Sequence, residues 1–131
     1  MKKIHAIMAL LLSGLLITCS CSGDQSAGEA PPADTVTMTN SAKFTPDSIV
    51  ISAGDVVLWK NTSDLTHTVT CDPEKAVKEK DVSLPSAAKP FNSGNLKSGE
   101  SFKKKFTVPG TYHYFCIPHE MLGMKGIVVV K

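Results

Sequence analysis

The sequence predicts an all-β fold, a sandwich or barrel built as one domain. From Thr35 onward, short runs of β-branched and aromatic residues alternate with turn residues, and helical periodicity is almost absent. The runs are TVTMTN, DSIVIS, DVVLWKN, HTVTC, ESFKKKFTV, TYHYFC and KGIVVVK. Ala53-Gly54-Asp55 and Pro109-Gly110-Thr111 supply turns of the hairpin type between runs. Residues 35–131 are enough for a two-layer sandwich with a single core.

Two segments depart from this simple pattern. Phe102, Lys104 and Phe106 share one parity, which puts a lysine on an aromatic face and predicts an edge strand or a local bulge. Residues 72–84, DPEKAVKEKDVSL, have helical character and open with Pro73. We expect one or two short helical turns there, within a long loop.

The N-terminal segment predicts export. In residues 1–18, two lysines follow Met1 and precede an apolar run that is broken only by His5, Ser13 and Gly14. The run is short for a helix that must cross roughly 30 Å of hydrocarbon, so a cleaved signal is the better interpretation. The mature protein is then expected in the periplasm or at the cell surface, where disulfides are permitted.

The residues that follow resemble the lipobox of bacterial lipoproteins. In ITCSCSGD, Cys21 follows Ser20 and fits best, while Cys19 is an alternative with an unusual threonine before it. An ordinary secretory signal with two incidental cysteines is the remaining alternative. We predict a lipoprotein signal peptide over residues 1–20, a membrane anchor through lipid on Cys21, and a flexible polar tether over residues 21–34.

The charge balance argues against nucleic acid as a partner. Basic residues number 14, all of them lysines, and acidic residues number 12. Loss of Lys2 and Lys3 with the signal leaves a mature chain that is close to neutral. There is no basic field for a phosphate backbone and no arginine fork for bidentate phosphate binding.

Four residues form a candidate metal site. Cys116, His119 and Met124 lie within one nine-residue span, and His67 lies on a predicted strand 49 residues before Cys116. Alone, a cysteine or methionine is most simply a core residue, and a strand histidine a structural one. Together, soft sulfur ligands with imidazole favour copper, and two histidines, a cysteine and a weak axial methionine are typical of a blue-copper electron-transfer site.

Two longer stretches carry a family resemblance. GTYHYFCIPHEMLGMKGIVVV resembles the C-terminal copper loop of the cupredoxins, with the spacing of plastocyanin and pseudoazurin, and AGDVVLWKNTSDLTHTVT resembles the stretch before their first histidine ligand. The resemblance implies a cupredoxin-like Greek-key β-sandwich. It also implies one type 1 copper, with His67, Cys116 and His119 as equatorial ligands and Met124 as the axial ligand.

The same resemblance suggests roles for neighbouring residues. It implies that Asn61 and Thr68 form hydrogen bonds near the thiolate and brace the loops. Met121 falls outside the ligand set, and we expect it in an apolar rim around an outward edge of His119. The expected rim consists of Ile117, Pro118, Met121 and Leu122.

Strand alternation gives the orientation of the residues that precede Cys116. Tyr112 and Tyr114 share its parity and should pack inward. His113 is then a surface histidine, and Phe115 faces outward, at a position that often holds a tyrosine near the docking surface in plastocyanins.

Cys71 is the remaining cysteine of the domain if Cys21 carries lipid. A disulfide between Cys71 and Cys116 would destroy the copper site, so the two hypotheses exclude each other. We expect Cys71 to be a reduced thiol that binds no metal.

The function implied by the resemblance is one-electron transfer by a monomeric, non-enzymatic carrier. Its partners would be redox proteins such as cytochromes or membrane oxidoreductases. An oxidase or reductase would need histidines beside Cys116, where Phe115 and Ile117 stand instead. The alternative that stays open is a copper carrier or buffer, because the same soft ligands could hold Cu(I) for delivery.

Overall fold

The computed structural model describes residues 31–131, and these residues form two β-sheets. The strands of this range are β1 (Asp34–Met38), β2 (Phe44–Thr45), β3 (Ser48–Ile51), β4 (Val56–Asn61), β5 (Thr70–Cys71), β6 (Phe91–Asn92), β7 (Ser101–Lys105), β8 (Gly110–Phe115) and β9 (Lys125–Val130). One sheet has the strand order β2-β1-β4-β7, and the other has the order β3-β9-β8-β5-β6. One buried apolar cluster draws on strands of both sheets, so the predicted β-sandwich is confirmed.

Part of the N-terminal prediction lies outside this range. The signal peptide over residues 1–20, the lipid on Cys21 and most of the tether over residues 21–34 fall outside the described residues. Within residues 31–131, no helix has the length and apolar character needed to cross a membrane.

The chain passes repeatedly between the sheets, so neighbouring strands are often distant in sequence. β1 pairs in parallel with β4, and β3 pairs in parallel with β9. β8 pairs antiparallel with β9, from Gly110 opposite Val130 to Phe115 opposite Lys125. Residues 116–124, which we call the β8–β9 loop, connect these two strands, so the pairing brings the ends of the loop together.

Aromatic side chains fill the space between the sheets. Trp59 on β4 is fully buried and meets Tyr114 on β8 edge-on, with ring centroids 5.4 Å apart. Phe44 lies 4.8 Å from Tyr114 and Phe106 lies 4.9 Å from Tyr112, again between ring centroids. Both tyrosines are buried, which confirms their predicted inward orientation. Burial of a side chain the size of phenylalanine stabilises the fold by roughly 1.5–3 kcal/mol, so these rings hold the sheets together.

The lysine on the aromatic face of β7 has a structural explanation. β7 is the outermost strand of its sheet, as the pattern predicts. The Nζ of Lys104 lies 4.7 Å from the ring centroid of Phe91 and 5.6 Å from that of Phe106. Burial lowers the pKa of Lys104. At a sheet edge the long side chain covers the aromatic rings while its ammonium group keeps contact with water.

One segment leaves the second sheet and returns to it. Thr70 of β5 pairs with Phe115 of β8, so a regular antiparallel ladder would continue two residues later opposite His113. Instead, Ser83 pairs with His113. Residues 72–82 therefore form an excursion between β5 and the bridge at Ser83, and we use that name for them below.

The excursion contains the helical turns that the sequence predicts. Two 3-10 helical turns span Pro73–Lys75 and Glu79–Asp81. The carboxylate of Asp72 caps the first turn, because it accepts a hydrogen bond from the amide of Glu74 at 3.1 Å. The expected short helical turns in a long loop are therefore confirmed.

One orientation prediction on β8 is wrong because of this excursion, and a second holds only in part. Phe115, predicted to face outward, is fully buried. It belongs to the same buried cluster as Val82 of the excursion, and Ala76 packs against that cluster. His113, predicted as a surface residue, is half-buried, and its backbone is bonded to Ser83. The excursion thus covers a face of β8 that a bare sandwich would leave in water.

Gly126 on β9 provides a test of how tightly the core packs around Tyr114. A Cβ at this position would overlap the Cζ, Oη and Cε1 atoms of Tyr114, whose ring is fully buried. We expect Gly126→Ala to lower the free energy of unfolding by about 1–3 kcal/mol, because overpacking forces buried groups off their preferred positions. Urea unfolding followed by Trp59 fluorescence measures the loss.

The control for this prediction is Tyr114→Leu, which removes the atoms that the new methyl group would meet. In that background Gly126→Ala should cost less than half of what it costs in the native chain, because the two changes share one contact. Equal costs in the two backgrounds would contradict the proposed overlap.

Candidate metal centre

Two segments carry the predicted ligand residues. His67 follows β4 and is fixed to Leu96 by two backbone hydrogen bonds, one in each direction, of 3.0 and 2.8 Å. The other three lie in the β8–β9 loop. Cys116 directly follows β8, His119 lies in the middle of the loop, and Met124 directly precedes β9.

Backbone hydrogen bonds close the β8–β9 loop on itself. The amide of Cys116 donates to the carbonyl of Met124 at 3.1 Å, and the amide of Met124 donates to the carbonyl of His119 at 3.2 Å. A 3-10 segment spans Ile117–Leu122, and Gly123 ends it in the left-handed region at φ 79°. Glycine suits that position because it adopts a positive φ without a steric cost. The loop is thus a compact turn with fixed ends.

Donor atoms of three of these residues converge. The Sγ of Cys116 lies 3.4 Å from Nδ1 of His119 and 3.7 Å from Nδ1 of His67, and the three atoms lie within 4.8 Å of one another. His67, Cys116 and Met124 are fully buried, while His119 is half-buried. The structure thus groups all four residues, Met124 through its backbone bonds to Cys116 and His119.

Ser63 orients His67, and this role is not among the predictions from sequence. Its Oγ lies 2.9 Å from Nε2 of His67, which leaves Nδ1 to face the sulfur. Ser63 is itself fixed, because its Oγ and its amide both donate to Oδ1 of Asn61, at 2.7 and 2.9 Å. A hydrogen bond to the outer nitrogen of a ligand histidine sets its ring orientation and tautomer. The run NTSDLTH holds the signal, which is a hydroxyl residue four positions before a candidate histidine.

Asn61 and Thr68 brace the segments around the site, as the resemblance implies. The Nδ2 of Asn61 donates to the carbonyls of Leu65 and Leu96, at 2.7 and 3.0 Å. The amide of Thr68 donates to Sγ of Cys116 at 3.3 Å, and its Oγ1 accepts from the amide of Ile117 at 2.8 Å. Thr68 therefore ties the segment of His67 to the β8–β9 loop.

Burial shifts the pKa of two donor groups. It lowers the pKa of His67, and the neighbouring His119 lowers it further, so the imidazole is neutral at pH 7 with a lone pair available. Burial also raises the pKa of the Cys116 thiol, against an opposing contribution from the Thr68 amide. A metal ion that binds the sulfur must therefore displace a proton.

The chemistry of these donors fits copper. A thiol and two imidazole nitrogens converge, and the side chains of His67 and Cys116 are fully buried. Met124, also fully buried, is joined to Cys116 and His119 by backbone hydrogen bonds. Soft sulfur with imidazole suits copper, and a cysteine with two histidines and a weak methionine is the type 1 set. The bond from Ser63 supplies the outer support that ligand histidines need.

The two segments that carry the site also carry exposed apolar side chains. Met121 is 64% exposed and Leu122 is 67% exposed, which is unusual for large apolar residues. We use the name apolar rim for the exposed apolar residues of the two site segments. They are Leu65, Ile117, Pro118, Met121 and Leu122.

Cys71 is a free thiol, as predicted, and so is Cys116. The Sγ of Cys71 donates to the carbonyls of Ser83 and His113, at 3.4 and 3.3 Å. Burial raises the pKa of Cys71 to about 12. Cys71 thus helps to close the base of the excursion against β8.

This burial predicts a slow reaction of Cys71 with iodoacetamide. In residues 22–131 carrying Cys116→Ser, Cys71 is the sole thiol. At pH 8 we expect alkylation at least about 100-fold slower in the folded protein than in urea, because the thiolate is the reactive form. Mass spectrometry gives both rates, and similar rates would contradict the buried, protonated thiol.

Comparisons with known proteins agree on one family. The family described as copper binding proteins, plastocyanin/azurin family, matches residues 33–131. Amicyanin-alpha of Methylorubrum extorquens is 36% identical over 129 residues, which cover 94% of this chain and 98% of that protein. Plastocyanin of Scenedesmus fuscus is 35% identical over 88 residues, which cover 67% of this chain and 86% of that protein.

Comparison with solved structures indicates the same family. An oxidised amicyanin variant matches with a TM-score of 0.59 and 26% identity, over 80% of this chain and 88% of that one. A mutant plastocyanin of fern matches with a TM-score of 0.57 and 29% identity, over 74% of this chain and 99% of that one.

Proposed function

Because the chain belongs to the plastocyanin/azurin family of copper-binding proteins, the cupredoxins, we propose that it is a single-copper electron carrier. It shuttles one electron at a time between redox partners outside the cytoplasm. The observation that carries this proposal is the convergence of one sulfur and two Nδ1 atoms within 4.8 Å. Bound copper supplies the one-electron chemistry, since it is stable as both Cu(I) and Cu(II).

The ligands in this proposal are the four residues that the sequence singles out. His67, Cys116 and His119 form the equatorial set, and Met124 is the axial ligand. The orientation of both imidazoles, with Nδ1 toward Sγ, supports the equatorial set. The burial of Met124 and its two backbone bonds, to Cys116 and to His119, support it as the residue that would add a thioether to this set.

The protein contributes rigidity and exclusion of water. Ser63 holds the outer nitrogen of His67, and the Thr68 amide donates toward the sulfur of Cys116. Because these contacts fix the donors, little rearrangement is needed when an electron arrives or leaves. Burial of Met124 and Cys116 keeps water from the inner side of the site.

Electron exchange takes place through His119, because it is the one ligand of the four that is not fully buried. The apolar rim around it suits brief, weak docking of a partner. We propose redox proteins such as cytochromes or membrane oxidoreductases as partners of a monomeric carrier. An enzymatic reaction is not part of the proposal, since Phe115 and Ile117 flank Cys116 where a multicopper enzyme would need histidines.

The N-terminal sequence supports export and a membrane anchor. We propose a lipoprotein signal peptide at residues 1–20, lipid on Cys21, a tether over residues 21–34 and the cupredoxin domain at residues 35–131. The tether lets the domain move beside the membrane while the lipid keeps it near membrane-bound partners.

The first test is the visible spectrum of residues 22–131 after addition of one equivalent of Cu(II). We expect an intense blue thiolate-to-copper absorption, which Cys116→Ser abolishes because it removes the sulfur ligand. Cys71→Ser is the matched control and should keep the colour, since Cys71 lies outside the site.

A colourless product with Cys71 and Cys116 joined in a disulfide would contradict the proposed copper site.

Transport of copper itself is the other candidate function, and the copper-loaded protein tests it. Slow electron exchange with a small redox dye, together with fast copper transfer to a chelator, would favour a copper carrier over an electron carrier.

A second prediction concerns the support of His67. Ser63→Ala removes the hydroxyl bonded to Nε2, so the imidazole loses its fixed orientation. We expect copper affinity to fall by about 10- to 100-fold, measured by competition with a chelator. Ser98→Ala, at an exposed turn, is the control and should leave affinity unchanged. Equal affinities of the two variants would count against the role of Ser63.

A further inference from the structure

Glu120 is a buried acid beside a proposed ligand. It directly follows His119, and only 2% of its surface is exposed. Removal of a carboxylate from water is costly unless hydrogen bonds compensate it. Both of its oxygens are bonded, one to the amide of Val77 at 2.9 Å and the other to the amide of Lys78 at 2.8 Å. We call this pair of bonds the Glu120 clamp.

The clamp connects the β8–β9 loop to the excursion, which is itself firmly attached. The backbones of Ser83 and His113 exchange two hydrogen bonds at the base of the excursion. Nearer its end, Asp81 is buried and accepts from Nζ of Lys125 at 2.9 Å. Lys125 directly follows Met124, so the excursion holds the chain beside both His119 and Met124.

His119 is the proposed ligand that most needs such support. Cys116 and Met124 adjoin paired strands, whereas His119 lies within the loop, at a kink with φ −123° and ψ 16°. It is also the least buried of the four residues. Its amide donates to Cys116, and its carbonyl accepts from the amides of Met124 and Gly123. Its ring has no counterpart of Ser63 among the hydrogen bonds of residues 31–131.

We propose that Glu120 is a positioning residue for His119, and that the excursion acts as its anchor. This inference rests on the proposed copper site. The clamp fixes the peptide that joins residues 119 and 120, and so holds the imidazole at its distance from the Cys116 sulfur. An electron that arrives or leaves then meets the same donor arrangement.

The test compares Glu120→Gln with Glu79→Gln in residues 22–131. Both replace one carboxylate oxygen by an amide nitrogen, which cannot accept a hydrogen bond. Glu79 lies on the same excursion but is exposed, so its variant controls for the change of charge. Glu120→Asp keeps both oxygens on a shorter side chain and carries the test if the glutamine variant does not fold.

The first readout needs no metal. In the copper-free native chain we expect slow hydrogen exchange at the amides of Val77 and Lys78. In Glu120→Gln at least one of them should exchange about 10- to 100-fold faster, because hydrogen bonds to a carboxylate are strong. In Glu120→Asp the exchange rates of these amides should lie between those of the native chain and Glu120→Gln. In Glu79→Gln they should equal those of the native chain. Equal exchange in native and Glu120→Gln proteins would refute the clamp.

The second readout separates positioning from simple stabilisation. In the copper-loaded proteins, Glu120→Gln should shift the reduction potential, change the Cu(II) electron paramagnetic resonance spectrum and slow electron self-exchange, while Glu79→Gln changes none of these. Lost amide protection with an unchanged spectrum and self-exchange rate would overturn the positioning role. A native chain without a thiolate-to-copper band would refute the proposed function instead, and the amide exchange would still report on the clamp.

Discussion

The antiparallel pairing of β8 with β9 is the constraint on which the site depends. The last regular pair is Phe115 with Lys125, and the bond from the Cys116 amide to the Met124 carbonyl extends the ladder by one step. The thiol and the thioether therefore take their places from the sheet. A slip of one residue in this register would turn each side chain of β9 to the opposite face, so the core specifies the site.

A second set of contacts joins this hairpin to the segment of His67. Thr68 uses its amide toward the Cys116 sulfur and its hydroxyl toward the Ile117 amide, so it links the segments at two points. Asn61 reaches from the end of β4 to Leu96 and also holds Ser63. Each link is a hydrogen bond between buried or half-buried groups, and the loss of one leaves its partner unsatisfied. This arrangement explains why two short segments, distant in sequence, keep donor atoms a few ångströms apart.

The parts that the sequence predicted are those set by local pattern. Alternation along β8 placed Tyr112 and Tyr114 in the core, and the lysine at position 104 indicated an edge strand. The spacing of sulfur and imidazole groups singled out the four residues that the structure groups together. Such features depend on an alternation of two residues or on a single tight loop, and both are visible among residues that are close together in sequence.

The parts that the sequence missed depend on contacts between distant segments. Phe115 is buried because residues 72–82 return to cover it, and nothing in TYHYFC indicates this cover. Glu120 has the composition of a solvated acid, yet it is bonded to amides 42 and 43 residues away. Ser63 is closer to its partner in sequence, but its role depends on a turn that points its hydroxyl back at His67.

The burial of Phe115 also restricts where electrons can enter and leave. An exposed aromatic residue beside Cys116 would offer a second route to the sulfur across the face of β8. Here that face lies under the excursion, and Phe115 has no exposed surface. His119 and the apolar rim then form the remaining approach to the four proposed ligands. In the proposed carrier, the segment that anchors His119 through Glu120 also covers Phe115, so one excursion contributes both to the position of His119 and to the protection of this face.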